Sequence, residues 1–174
     1  MPSRVTLVDY DPRWPALYEE EKQRIVSAIG GLALDIQHVG STSVEGLGAK
    51  PIIDIMVGVR RLDDASACVP FLQGLGYEYV PEFEVEMPER RFFRKRTLVK
   101  RTHQIHAVVF EDEFWRRLLL FRDHLRANPP DARAYYELKK ALASRFPTDV
   151  ESYANAKTEF IQSISAKAKL KPKK

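Results

Sequence analysis

Cysteine is almost absent from this 174-residue chain: Cys68 stands alone, so no internal disulfide braces the fold, and no Cys/His cluster has the spacing of a structural zinc site. Long apolar runs are missing too. None approaches the roughly 20 residues that a bilayer span requires, and the N-terminal MPSRVTLVDYD lacks the apolar core of a secretory signal, so a cytoplasmic protein without membrane contact is expected. There is no G-x-x-x-x-G-K-[ST] phosphate loop and no basic and stacking-aromatic pattern of a known RNA module. A formal charge of +4 says little for nucleic acid, because the lysines from Lys167 onward supply it and leave a nearly neutral body.

What is present is an ordinary globular composition, 44% hydrophobic and 30% charged, at a length that suits one domain, here 1–168 with a basic tail at 169–174. Val5 to Tyr10 alternates loosely, as an edge strand or an extended arm. Asp11-Pro12 starts a helix that carries Trp14, Leu17, Tyr18, Ile25 and Ile29 at helical spacing and stops at Gly30-Gly31. Short strands are expected at Asp35 to Val39, Ile52 to Val59 and Tyr77 to Val80, with a helix from Leu62 to Leu75 holding Cys68 as a packing residue. Pro81 to Glu89 reads as an acidic loop. Arg91 to Thr97 and Gln104 to Phe110 read as antiparallel strands, although no Asn-Gly or Asp-Gly marks their turn. Three helices follow, near Glu113 to Ala127, Asp131 to Arg145 and Asp149 to Lys167, separated by proline-bearing breakers.

The stretch His38 to Gly58, HVGSTSVEGLGAKPIIDIMVG, carries the chemistry. Gly40 permits close approach of a ligand to the backbone, and Ser41 or Ser43 caps a short helical turn whose N–H groups suit an anion. Asp54 interrupts a buried apolar strand, and an ionised carboxylate there is costly unless it is paired or holds a metal. Alternation places Ile52, Asp54, Met56 and Gly58 on one face. A Gly-Ser turn followed by a strand carboxylate can seat a triphosphate and its divalent cation, magnesium or manganese, as nucleotidyl transfer requires. Lys50 and the basic run Arg90 to Arg96 add positive charge. Arg94 shares a face with Phe92 and is the preferred phosphate clamp. His106 shares a face with Gln104 and is a candidate base or metal ligand, with a hydrogen-bonded structural histidine as the plainer alternative.

These residues carry a resemblance. The string His38-Val39-Gly40-Ser41-Thr42-Ser43-Val44, then Gly46-Leu47 and Ala49-Lys50-Pro51-Ile52-Ile53-Asp54-Ile55, resembles the signature of the GrpB-like family, a branch of the nucleotidyltransferase superfamily. Arg101-Thr102-His103-Gln104-Ile105-His106, Phe121-Arg122-Asp123, Leu125-Arg126 and Tyr136-Leu138-Lys139 agree with it. The resemblance implies an α+β fold: a nucleotidyltransferase-like mixed β-sheet with packed helices and a helical C-terminal part. It further implies a nucleoside triphosphate and a small-molecule acceptor as partners, with Asp54 as metal ligand and catalytic carboxylate, His106 beside it, and Gly40, Ser41, Thr42, Ser43, Lys50 and Arg94 around the phosphates. In the wider superfamily a second carboxylate follows on the same strand face, where this chain has Met56. That departure leaves a non-catalytic nucleotide or phosphometabolite binding module as the alternative. Glu45 stands where the family usually has proline, either adding a late ligand or facing solvent. Family members also occur fused to dephospho-coenzyme A kinase, which suits an accessory role.

Overall fold

The apolar residues of Ile53–Val59 (β2) point alternately to two different cores, which makes this strand the centre of the molecule. Ile53, Ile55, Val57 and Val59 face one layer, where they meet Trp14, Ile25, Ile29, Ala65, Cys68 and Leu72. Met56 faces the other, with Val39, Val108, Phe114 and Trp115. Full burial of a side chain such as Ile55 contributes about 1.5–3 kcal/mol. The computed structural model describes residues 4–170.

The chain begins extended, and Val8 forms a single antiparallel bridge to Ala49. Helix Trp14–Ile29 (α1) starts later than Asp11. The Asp11 carboxylate instead accepts from the Arg13 backbone N–H at 2.9 Å, organising the turn ahead of the helix. Strand Ala33–Val39 (β1) pairs antiparallel with β2. The expected helix after β2 is two short ones, Leu62–Ala67 (α2) and Val69–Gly74 (α3), because Pro70 has no N–H to continue the ladder. Cys68 sits buried at their junction.

Strands Tyr77–Tyr79 (β3), Arg90–Arg96 (β4) and Arg101–Val109 (β5) complete a five-stranded mixed sheet in the order β1-β2-β5-β4-β3. The pair β2/β5 is parallel; the others are antiparallel. In the β4–β5 hairpin Thr97 does what an Asn-Gly would do: its hydroxyl accepts from the N–H groups of Val99 and Lys100.

Glu113–Ala127 (α4) covers the Met56 face, its first turn capped by Asp112 accepting from the Trp115 N–H at 2.8 Å. Pro129–Arg145 (α5) begins on the prolines that its sequence presents as breakers, since proline lacks only an N–H that the first turn leaves unused. The last expected helix is divided into Val150–Asn155 (α6) and Thr158–Lys169 (α7), with Ala156 and Lys157 between them. These helices pack on the connection between β1 and β2 through Val44, Leu47, Leu125, Ala132, Tyr135 and Ile164. No helix among the described residues is long and apolar enough to cross a membrane.

One charge is buried on the α1 side of the sheet. Glu21, 2% exposed, accepts from the Tyr77 hydroxyl and the Lys95 ammonium, each at 2.9 Å. Burial pushes its carboxyl up, but the bonds from Lys95 and Tyr77 outweigh that and leave it below the ordinary value. A lowered carboxylate stabilises the fold above the unfolded value of ~4.3 and loses that contribution as pH falls through its folded value. Glu21→Gln is therefore expected to cost about 1–3 kcal/mol near neutrality, with the gap in thermal midpoint from the wild type narrowing as pH falls from about 6 to about 3.

Candidate functional site

Between β1 and β2 the chain makes a tight 3₁₀ turn, Ser41–Ser43, entered through Gly40 at φ +72°. Two facts fix that glycine. Its backbone lies in the left-handed region, and a Cβ placed there would come within 2.6 Å of the Asp54 Oδ2. The turn thus rests directly on the carboxylate. Arginines of α4 hold it there: Arg122 donates to the His38 carbonyl at 3.0 Å, and Arg126 donates twice to the Ser43 carbonyl, at 2.9 and 2.8 Å.

The hydroxyls of the turn face different ways. Ser43 donates to the Gly40 carbonyl. Thr42 lies 2.9 Å from His38 Nε2, and the His38 ring stacks on Tyr18 with centroids 4.6 Å apart. Burial pushes the His38 imidazole down to about 4, so it is neutral near pH 7. Ser41 points into a cavity of about 170 Å³, also lined by Lys50, Asp54, Arg101, Gln104, Lys139 and Lys157. Four cations face one carboxylate.

Lys139 is the most enclosed of them, 3% exposed, and donates to the Ser41 hydroxyl at 3.0 Å and the Gly48 carbonyl at 2.6 Å. Burial, then the charges of Lys157 and Lys50, push its ammonium down to about 7. Lys157 falls to about 8 through burial and Lys50. Lys50 is lowered by burial and by Arg101, with Asp54 opposing. Lys50 and Lys157 each lie 4.5 Å from the centroid of the Tyr153 ring. Burial together with the neighbouring positive charges thus lowers all three lysines.

Asp54 is half-buried on the opposite wall. The Gln104 amide, oriented to satisfy both neighbours, donates to Asp54 Oδ1 at 3.0 Å and accepts from Arg101 at 3.1 Å. His106 Nε2 lies 3.6 Å from the same oxygen. Its Nδ1 lies 3.0 Å from Arg90 Nη1, and a guanidinium can only donate. In its neutral form the ring then carries its hydrogen on Nε2, the nitrogen nearer Asp54. Among the described residues no group of three or more His, Cys, Asp or Glu is arranged to hold a metal ion. Met56 is fully buried among apolar side chains.

Sequence reasoning brings Ser41, Thr42, Lys50 and Asp54 to this cavity, and the structure has all four among its lining residues. Gly40, Ser43 and His106 stand behind that lining. Arg94 lies on the Asp54 face, in register with Gln104 and so two strands from Asp54, but it is held by Glu78 in a two-pronged pair at 2.7 and 2.6 Å. Arg101, Lys139 from α5 and Lys157 from the break between α6 and α7 line the cavity instead. Glu45 is exposed. Lys139 left a trace in the sequence that went unused: with Ala132, Tyr135 and Leu142 it falls on the buried stripe of α5, where a lysine needs a reason. Lys157 left none, since its place follows from the break between α6 and α7.

A family model described as GrpB protein matches residues 4–167. The chain belongs to the GrpB family. Among relatives, the glutamate-rich protein GrpB of Alkalihalophilus pseudofirmus is 37% identical over 163 residues, covering 92% of this chain and 93% of that one. The crystal structure of the conserved protein GrpB from Enterococcus faecalis superposes with a TM-score of 0.84 at 36% identity, covering 94% of this chain and 96% of that one. A dephospho-CoA kinase of Mycolicibacterium paratuberculosis is 31% identical over 187 residues, which span 94% of this chain but 46% of the kinase. The mixed α+β sheet with its helical C-terminal part is thus the architecture of a solved GrpB protein.

Two outcomes follow for this GrpB chain. Gly40→Ala is expected to cost about 1–3 kcal/mol in urea unfolding and to displace Asp54; Gly46→Ala, also at positive φ (+78°) but with open space at its Cβ, carries the backbone cost alone. The lowered lysines mean that the unfolded chain binds more protons between the folded values and the ordinary 10.5, so their charge destabilises the empty protein most at and below about pH 7 and the cost is relieved as pH rises. Pyrophosphate is accordingly expected to raise the thermal midpoint by several degrees at pH ~6.5 and by much less at pH ~9.5, where Lys139 and Lys157 are largely neutral.

Proposed function

We propose that the cavity binds a nucleoside triphosphate through its phosphates, and that the protein is a nucleotidyltransferase-like member of its family, transferring a nucleotidyl group to a small acceptor. The convergence of Ser41, Lys50, Arg101, Lys139 and Lys157 opposite Asp54 on one cavity carries this reading. Such a set suits the dense charge of a phosphate chain, and the arginine adds donors in a planar fork. Gly40 and Ser43 shape the turn, Thr42 and Ser41 face the guest, and Arg94 sets the charge of the sheet surface beyond Arg101.

One divalent cation, magnesium or manganese, fits here: Asp54 would hold it, with substrate phosphates and water completing the oxygen shell. Bound there, it would neutralise phosphate charge. A two-ion arrangement does not fit, because Met56 offers a thioether inside an apolar cluster where a second carboxylate would be needed. His106 then acts as a positioning residue, its Nε2–H directed at Asp54 and its Nδ1 held by Arg90.

The burial of Met56 also favours a second reading, a binding module that holds a nucleotide or phosphometabolite without turning it over. The partial match to a dephospho-CoA kinase is compatible with such an accessory role. Titration with ATP, GTP, CTP and UTP, with and without manganese, separates the readings. Expected for the first is metal-dependent affinity that weakens roughly tenfold, or about 1.4 kcal/mol, in Asp54→Asn, together with pyrophosphate release. Binding without release selects the module. Binding that ignores metal and Asp54→Asn and falls steeply with salt on RNA would remove both.

A further inference from the structure

The three hydroxyls of the turn are not equivalent, and the difference suggests a chemical step. Ser43 is engaged with the Gly40 carbonyl and Thr42 with His38, whereas the Ser41 hydroxyl lines the cavity, hydrogen-bonded to Tyr135 and with an amine nitrogen 3.0 Å from its Oγ. That amine, on Lys139, is enclosed by the Gly48 carbonyl at 2.6 Å and by the faces of Tyr135 and Tyr136, with ring centroids 4.8 and 5.8 Å away. Gly48 leaves the space for this: a Cβ there would come within 2.2 Å of the Tyr136 ring. The lysine is held against the serine and is not free to follow a ligand.

Resting on the reading that the cavity seats a nucleoside triphosphate, we propose that Ser41 is itself a nucleotidyl acceptor, with Lys139 as its base. The Ser41 Oγ attacks the α-phosphorus. The Oγ–P bond forms as the bond between the α-phosphorus and the bridging oxygen breaks, pyrophosphate leaves, and the hydroxyl proton passes to Lys139 Nζ. The product is a serine-linked nucleoside monophosphate, which either remains as a covalent mark or passes its nucleotidyl group on to a small acceptor.

Supporting this, burial and two neighbouring cations hold the Lys139 ammonium near neutrality, so a fraction of it is unprotonated and able to accept. Losing that proton reverses the 3.0 Å contact, from lysine donating to serine donating. Phosphates in the cavity raise the lysine again, so the step should quicken as pH rises from neutral. General-base assistance contributes about 10²–10⁴-fold.

The test incubates the full chain with saturating ATP, GTP, CTP or UTP and magnesium or manganese, then reads intact mass and maps peptides. The expected result is a gain of one nucleoside monophosphate on Ser41, absent in Ser41→Ala, and forming several-fold faster at pH ~9 than at pH ~7. Lys139→Arg keeps a positive charge but cannot accept a proton; with triphosphate raised above each protein's own dissociation constant, its adduct should form about a hundredfold more slowly and lose the rise between pH ~7 and pH ~9. If triphosphate binds and the mass never changes, or if the adduct persists in Ser41→Ala, the serine assignment falls and the binding reading stands. If adduct formation survives Lys139→Arg, the base assignment falls. If no triphosphate binds, both the proposal and the reading beneath it fall.

Discussion

Lys139 is an ammonium buried where no carboxylate neutralises it, and the arrangement of the whole C-terminal half follows from keeping it there. Its charge meets the Gly48 carbonyl, the Ser41 hydroxyl and two aromatic faces, all neutral partners, while the nearest formal charges are other cations. Burying an unpaired charge costs several kcal/mol, so the apolar contacts that seat α5 against the turn must exceed it. Val44, Leu47, Leu125, Tyr135 and Ile164 provide them.

The carboxylate wall obeys the opposite logic. Asp54 Oδ1 accepts from the Gln104 amide, and His106 Nε2 lies 3.6 Å from the same oxygen. Gly40 closes over it with no room for a methyl group. The sheet side of the cavity thus carries Asp54 with Arg101 joined to it through Gln104, and the helical side carries Lys139. Both walls depend on one turn, because Gly40 touches Asp54 and Ser41 touches Lys139.

Much of this was legible in advance because it is local. The Ile53–Val59 strand, its two faces and the misfit of Asp54 follow from alternation, and the Gly40 turn follows from the residue types in it. Helix breaks were less legible. Pro70 splits the helix after β2, and Pro129 and Pro130 begin a helix that they were expected to precede. Proline acts differently at the first turn and in the interior, and its position relative to the turn is set by tertiary packing. The cationic wall was least legible, since Arg101, Lys139 and Lys157 come from three separate elements and meet only when α5 and α6 fold back over the sheet. Arg94 was placed on the correct face by alternation, yet its partner Glu78 sits on a neighbouring strand, and cross-strand pairing is invisible until register is known.

Met56 stands two residues after Asp54 on β2 and is fully buried. A thioether in that position is content in the cluster of Val39, Val108, Phe114 and Trp115, so the strand gains packing where a second metal ligand would demand a polar, hydrated surround. In the proposed function, with a single cation at Asp54, stabilisation of phosphate charge would have to come from side chains. On that reading the four basic side chains of the cavity would supply it, since partly desolvated groups already in place stabilise charge most strongly. The burial and neighbouring charge that would favour an anion in the cavity also push the Lys139 ammonium down, so affinity for an anion and readiness to accept a proton would arise from one source and oppose each other as pH changes.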